Sequence, residues 1–329
     1  VAFGQRRKDF DLVVKEKKVI AVVGATGSQG GGLVRAIVAD EDGRFAARAI
    51  TRHPESEKAK ALAALGAEVI AADSDDPESL RRAFAGADGA YCMTNFFEHF
   101  SPEREIVQAR NMARAAKDSG VAHVIWNTLD DTRKRMSLED PRIPTLRSKY
   151  KVPHFDGKGE ADRIFAEESA PTTLLSSASF WDNFIKFRSA PRRGEDGNLV
   201  LALPLGGARL PGIAAEDVGK CALAIFRRGP ETAGRRFGIA GEILTGEQMA
   251  DGLAGALGEP VSFVDVPFDI FRGLGFPGAE EIGNMYQYQA IFNDEFCESL
   301  DVELARALDP DLQSYETWLR EWAPRLPID

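Results

Sequence analysis

Cysteine is scarce in this chain. Cys92, Cys221 and Cys297 are three among 329 residues, widely spaced and with no C-x-x-C. That excludes a disulfide framework and a cysteine-based zinc site and suits a reducing compartment, so a cytoplasmic location is expected. Positive charge is short as well: 41 Lys and Arg stand against 51 Asp and Glu, for a net charge of −10. The most basic stretch, RKR at 133–135, has acidic neighbours. Direct nucleic-acid binding and docking on an anionic membrane are disfavoured on that balance. No apolar run approaches the length of a membrane span, and residues 1–16 lack the apolar centre of a signal peptide; they read as an N-terminal extension. His53, His99 and His123 have no ligand-like spacing to one another or to a Cys, so no metal site is expected.

What the chain does have is rhythm. A short β-branched run at 19–23 and short stretches at 45–51, 67–72, 89–94 and 121–126 read as strands. Between them, 30–40, 55–65, 77–85 and 102–119 read as helices, the third opened by an Asp76-Pro77 cap pair. Strand and helix alternating in this way predict an α/β fold, a Rossmann-type doubly wound parallel sheet with its ligand outside the carboxyl ends of the strands. Beyond Asn127 the rhythm breaks. Residues 129–147 are polar, like a surface loop or lid; a helix resumes near Pro153, and 172–176 reads as a sixth strand. We therefore expect a nucleotide-binding domain over 17–180, with about 206–240 returning to it, and a smaller C-terminal α/β lobe over 181–329.

Five glycines fall between Gly24 and Gly32, directly after the first strand and at the start of the first helix. Glycine allows the tight turn and lets backbone N–H groups approach a pyrophosphate, while the helix N-terminus offers unsatisfied donors and partial positive charge. Gly24, Ala25, Thr26, Gly27, Ser28, Gln29 and Gly30 are the expected cradle. The second strand runs out through Thr51-Arg52-His53-Pro54 with no acid before Glu55. An acid there would take the ribose hydroxyls of NAD(H), whereas Arg52 can hold a 2′-phosphate. NADP(H) is the expected cofactor, with NAD(H) second.

At this point the chain resembles the atypical short-chain dehydrogenases, and among them the NmrA-like family. GATGSQG (24–30) and TRHP (51–54) are similar to that family's phosphate-binding segments. TNFFE (94–98), HFDGKGE (154–160), FWDNF (180–184) and LGFPGAEEIGNMYQYQ (274–289) resemble, in order and spacing, the HSCARG-type members. The resemblance runs from about residue 17 almost to the C-terminus. It implies Arg52 at the 2′-phosphate, Asp73 and Ser74 by the adenine, and Thr94, Asn95 and Phe96 along the ribose and pyrophosphate. It further implies Lys158 at the nicotinamide ribose, with Phe180, Trp181, Asp182 and Asn183 closing around the nicotinamide. Asp73 reads equally well as a turn residue before the Asp76 cap.

One expected residue is missing. Short-chain dehydrogenases use Tyr-x-x-x-Lys, but here the stretch is His154-Phe155-Asp156-Gly157-Lys158. His154 could serve as an acid near neutral pH; Tyr150 is a second proton source, and Asn127 or Thr128 a polar partner. Loss of the Tyr favours a redox-sensing regulator that binds NADP(H) with little turnover and acts through a protein partner or a homodimer. Residues 129–147 and the LGFPGA segment are its candidate moving parts. The alternative is an NADPH-dependent reductase of a small quinone, enone or carbonyl.

Overall fold

A computed structural model describes residues 16–187 and 189–328; the extension read at 1–16 lies, but for its last residue, outside them. The first half contains β1 (Lys18–Val23), α1 (Ser28–Ala39), β2 (Phe45–Thr51), α2 (Glu57–Ala64), β3 (Glu68–Ala71), α3 (Pro77–Phe84), β4 (Gly89–Cys92), α4 (Pro102–Asp118), β5 (His123–Thr128), α5 (Pro153–Glu168) and β6 (Thr172–Ser177). There follow β7 (Ser179–Phe180), α6 (Asn183–Lys186), β8 (Arg192–Arg193), β9 (Leu199–Leu203), β10 (Leu210–Ile213), α7 (Ala215–Arg228), β11 (Arg236–Ile239), β12 (Glu242–Leu244), α8 (Gly246–Leu257) and β13 (Val261–Asp265). Five helices complete the chain: α9 (Phe268–Arg272), α10 (Ala279–Ile291), α11 (Asn293–Glu298), α12 (Val302–Leu308) and α13 (Tyr315–Trp322).

Seven strands form one parallel sheet in the order β11-β6-β5-β4-β1-β2-β3. Both faces are covered, which is why β4 and β5 are buried along their whole length. Leu33, Val34 and Ile37 of α1 and Val218, Ala222 and Ile225 of α7 pack on one face. On the other face lie Leu80 and Phe84 of α3, Ala109 and Met112 of α4, and Ile164 and Phe165 of α5. Successive strands step outward from β1 in one direction and from β4 in the other. The crevice between these two is the topological switch point where such sheets bind ligands.

The smaller lobe holds two three-stranded sheets, β12-β10-β7 and β13-β9-β8, around a separate core that includes Trp181, Leu201, Leu253 and Trp318. Strand β11 was not foreseen, because RFGI is short and glycine-interrupted; it gains its place by pairing with β6. The polar stretch 129–147 contains one 3-10 turn, Thr132–Lys134, and is held rather than loose. Thr132 donates from its N and Oγ1 to Asp156 Oδ1 at 2.8 and 2.5 Å, and Lys151 Nζ donates to Ile143 O at 2.7 Å. Its Met136 and Ile143 join a small core with Val152, Phe155 and Tyr288.

Candidate functional site

The turn after β1 calls for glycine at Gly24 and Gly30. Gly24 has φ +72°, and a Cβ there would lie 2.4 Å from Met93 Sδ. Gly27 N donates to Gly24 O at 2.9 Å, and a Cβ on Gly30 would fall 2.4 Å from that same oxygen. Gly27 caps α1 with no side-chain hydrogen bond and no acid stands in the first turn, so the helix's leading N–H groups remain open to an anion. Gly32 serves a different purpose. Its Cβ would meet Glu216 Cα at 2.9 Å, and that of Gly219 would meet Leu33 N at 2.2 Å. These two glycines let α1 and α7 touch backbone to backbone. The glycine stretch therefore answers two demands, a tight turn that leaves the start of α1 open and a close helix pair.

The turn opens into a cleft of about 2140 Å³ between the main sheet and the smaller lobe. Residues 24–29, Arg52, Asp73, Ser74, Thr94, Asn95, Phe96, His154, Lys158, Phe180, Asp182 and Asn183 all line it. Gly30 and Trp181 do not. Gly30 sits behind the turn and shapes it. Trp181 is buried among Tyr315 and Trp318 of α13, with ring centroids 5.3 and 6.2 Å away, which corrects its expected place by the nicotinamide. Asp73 makes a turn, its Oδ1 accepting from Asp75 N at 3.0 Å, and the residue also borders the cleft. Asp182 Oδ2 accepts from Ala215 N at 3.0 Å, tying the cleft wall to the start of α7.

At one end of the cleft Arg52 Nη2 donates to Glu98 Oε1 at 2.7 Å, both side chains half-exposed. Glu98 closes the 3-10 turn Phe96–Glu98 that follows β4. Lys58, on the first turn of α2, faces the same space.

The other end is more buried. His154 and Lys158 are four apart on α5, so they share a face of the helix. Lys158 Nζ donates to Thr94 Oγ1 at 2.6 Å and Thr94 O at 3.1 Å, lies 3.2 Å from Glu105 Oε1, and sits over the Trp126 ring at 5.2 Å. Thr94 Oγ1 itself donates to Glu105 Oε1 at 2.6 Å. Glu281, in the first turn of α10 in the smaller lobe, accepts two bonds on one oxygen: His154 N at 2.6 Å and His154 Nδ1 at 2.7 Å. With Nδ1 so engaged, Nε2 is the ring nitrogen left to face the cleft. Phe96, Phe97 and Phe155 surround the imidazole at 5.8, 5.2 and 4.8 Å.

Neither Tyr150, the second proton source, nor Thr128, one of the two polar partners expected, borders the cleft. Tyr150 precedes α5, is fully buried, and donates to Glu103 Oε1 at 3.1 Å. Thr128, the last residue of β5, is buried against Asp162. Asn127 does border the cleft and lies 3.5 Å from Gln29 Nε2. Beyond His154 the lobe contributes an apolar chamber that includes Leu274, Phe276, Ile282, Met285 and Tyr286. Gln289 Oε1 is buried there without a hydrogen-bond partner. Among the described residues no cluster of His, Cys, Asp or Glu is arranged to hold a metal, and no helix is long and apolar enough to cross a membrane.

The model of the NmrA-like family matches residues 16–319, through both the sheet and the lobe. The chain belongs to the NmrA-like family. Among curated relatives, the NmrA-like family domain-containing oxidoreductase malD of Malbranchea aurantiaca is 27% identical, over 94% of this chain and 98% of that one. The oxidoreductase lnbB of Aspergillus flavus is 24% identical over 90% of each. Among solved structures, this NmrA-like chain has the fold of NmrA, a negative transcriptional regulator, in complex with NADP (TM-score 0.74, 24% identity, 94% of this chain and 96% of that one). It has also the fold of the Citrobacter sp. triphenylmethane reductase complexed with NADP(H) (TM-score 0.70, 21% identity, 94% and 100%).

Proposed function

We propose that this NmrA-like protein is an NADP(H)-dependent reductase of an apolar carbonyl, enone or quinone, with His154 as its proton donor. The observation that carries this reading is the Glu281–His154 pair in the cleft wall. The residues present fit a dinucleotide: Gly24 holds a φ of +72° that favours glycine, the α1 N-terminus has no side-chain cap, and Arg52 follows β2 with no acid in the sequence before Glu55. Residues 24–29 would hold the pyrophosphate, Arg52 the 2′-phosphate that favours NADP(H) over NAD(H), and Lys158 with Thr94 the ribose near the reacting end. The nicotinamide cofactor, when bound, supplies the hydride. Glu281 fixes the ring's orientation and holds its Nδ1–H, a carboxylate's usual service to a working histidine, so that the doubly protonated ring can hand its Nε2 proton to the substrate oxygen and be left as the neutral Nδ1–H imidazole. Phe96, Phe97 and Phe155 keep water from the ring, and the lobe chamber takes the apolar body of the substrate. In this reading the sheet domain of 17–180, with 206–240, carries the cofactor, and the lobe of 181–329 carries the substrate.

A second reading is a redox-sensing regulator with little turnover that answers to NADP(H) through a protein partner or a homodimer. It draws on the absent Tyr and on Lys158, whose ammonium is already engaged by Glu105 and Thr94. Single-turnover assays separate the two. Protein mixed with stoichiometric NADPH meets menadione, 2-cyclohexenone or benzaldehyde while nicotinamide absorbance is followed. Rapid loss that His154→Ala abolishes supports the reductase. Tight NADPH binding with no transfer to any of the three, together with a ligand-dependent change in mass or proteolysis pattern, supports the sensor.

A further inference from the structure

Glu98 has no part in the function proposed above, yet it holds the guanidinium on which the cofactor preference rests. Arg52 and Glu98 are 46 positions apart and come from different βα connections, so their bond at 2.7 Å spans the cleft mouth between the end of β2 and the turn after β4. A carboxylate presents to a guanidinium the same kind of acceptor oxygens as a phosphate. From this we infer that Glu98 is a cofactor-specificity residue: it occupies Arg52 as an internal stand-in for the 2′-phosphate and so lowers the preference for NADP(H) over NAD(H). The inference rests on the NADP(H) reading of the cleft.

The physical argument is one of competition. To meet a 2′-phosphate, Arg52 must give up Glu98, and the freed carboxylate is left beside a group of like charge. NAD(H) demands neither change, since it brings only hydroxyls to that place and the ion pair can stay closed. Both side chains are half-exposed, so the pair is screened and its rupture costs little. The penalty therefore tunes the preference without abolishing it. The same turn touches the far end of the site. Phe96 and Phe97 precede Glu98 and pack on the His154 ring at 5.8 and 5.2 Å, and Phe97 also meets Phe187 of the smaller lobe at 5.8 Å.

The test is calorimetric titration of NADPH and NADH into the intact protein and its Glu98→Gln and Arg52→Gln/Glu98→Gln variants, with Arg52→Gln alone as reference. Glu98→Gln should tighten NADPH about two- to five-fold and leave NADH unchanged, and the gain should shrink at high salt. In the Arg52→Gln background the same substitution should do nothing to the ratio. An equal shift for both cofactors, or none for either, overturns the inference while leaving the cofactor reading standing. If Arg52→Gln leaves NADPH affinity intact, the cofactor reading of Arg52 itself falls, and the inference with it.

Discussion

Alanine at Gly219 should do damage that alanine in another helix of this protein would not. Gly219 lies on α7 against α1, and a Cβ there would stand 2.2 Å from Leu33 N and 2.4 Å from Gly32 C. Ordinary contact begins at 3.4 Å, so the two helices must part by about 1.2 Å. Both near atoms are backbone, and no rotamer change relieves the clash. Overpacking of this kind costs about 1–3 kcal/mol, and a rigid backbone contact belongs at the upper end. Replacing Gly by Ala in a helix returns about 1 kcal/mol through propensity, so the net loss for Gly219→Ala is about 2 kcal/mol. Gly255, on α8, has no atom within 4 Å of its virtual Cβ, so Gly255→Ala should stabilise by up to about 1 kcal/mol. Urea unfolding followed by tryptophan fluorescence reads both. Since α1 also carries the turn proposed to hold the pyrophosphate, Gly219→Ala should weaken NADPH as well. If the two variants shift stability in the same direction, the close packing of α1 on α7 is not what those glycines provide.

Burial pushes the His123 imidazole down to about 4, with Nε2 2.8 Å from Thr173 Oγ1 and Nδ1 unpartnered. The unfolded chain takes up this proton below about 6.5 and the folded protein only below about 4. His123 therefore contributes stability that is complete above pH 6.5 and drains away as pH falls toward 4, about 3 kcal/mol in all, and His123→Gln should flatten that part of a stability–pH series. Under the reductase reading, Glu281→Ala should lower kcat about 10- to 100-fold with little change in KM, and Glu281→Asp should recover part of it, as measured with whichever substrate the single-turnover panel identifies. Trp181→Ala should cost about 3–5 kcal/mol of stability by emptying the lobe core. Trp181→Phe, which keeps that core filled, should leave NADPH affinity within about twofold by titration, because the residue borders no part of the cleft.

The main sheet was legible because its signals are local. A β-branched run next to a polar flank marks β1 or β5 without reference to anything distant, and Asp76 before Pro77 caps α3 as its type predicts, accepting from Glu78 N at 3.1 Å. The glycine turn was legible for the same reason: strand, glycines and helix are contiguous. What escaped notice is what depends on the fold to bring residues together. Glu281 stands 127 positions from His154, and although it lies in the 274–289 segment, nothing in the sequence pairs the two. Glu105 looked like one more charge on an amphipathic helix, yet its side chain is fully buried beside Lys158. Gly32 and Gly219 could not be paired without knowing that α7 returns to lie on α1. Trp181 was misplaced because a motif shared along a chain says nothing of which way alternate side chains point. Within FWDNF, Phe180, Asp182 and Asn183 line the cleft while Trp181 and Phe184 turn into the lobe core.

One oxygen of Glu281 receives both the amide that opens α5 and the ring of the residue carrying that amide. The two domains are thereby stitched at the atom where a proton would be managed, so a lobe cannot be exchanged between relatives as a passive cover. A chimera that keeps His154 but imports a lobe without an acid at the position of Glu281 would have the ring and lose its bearing. The positions corresponding to 154 and 281 should therefore be inherited as a unit, and anyone grafting a new substrate chamber onto this sheet must carry that carboxylate across with it.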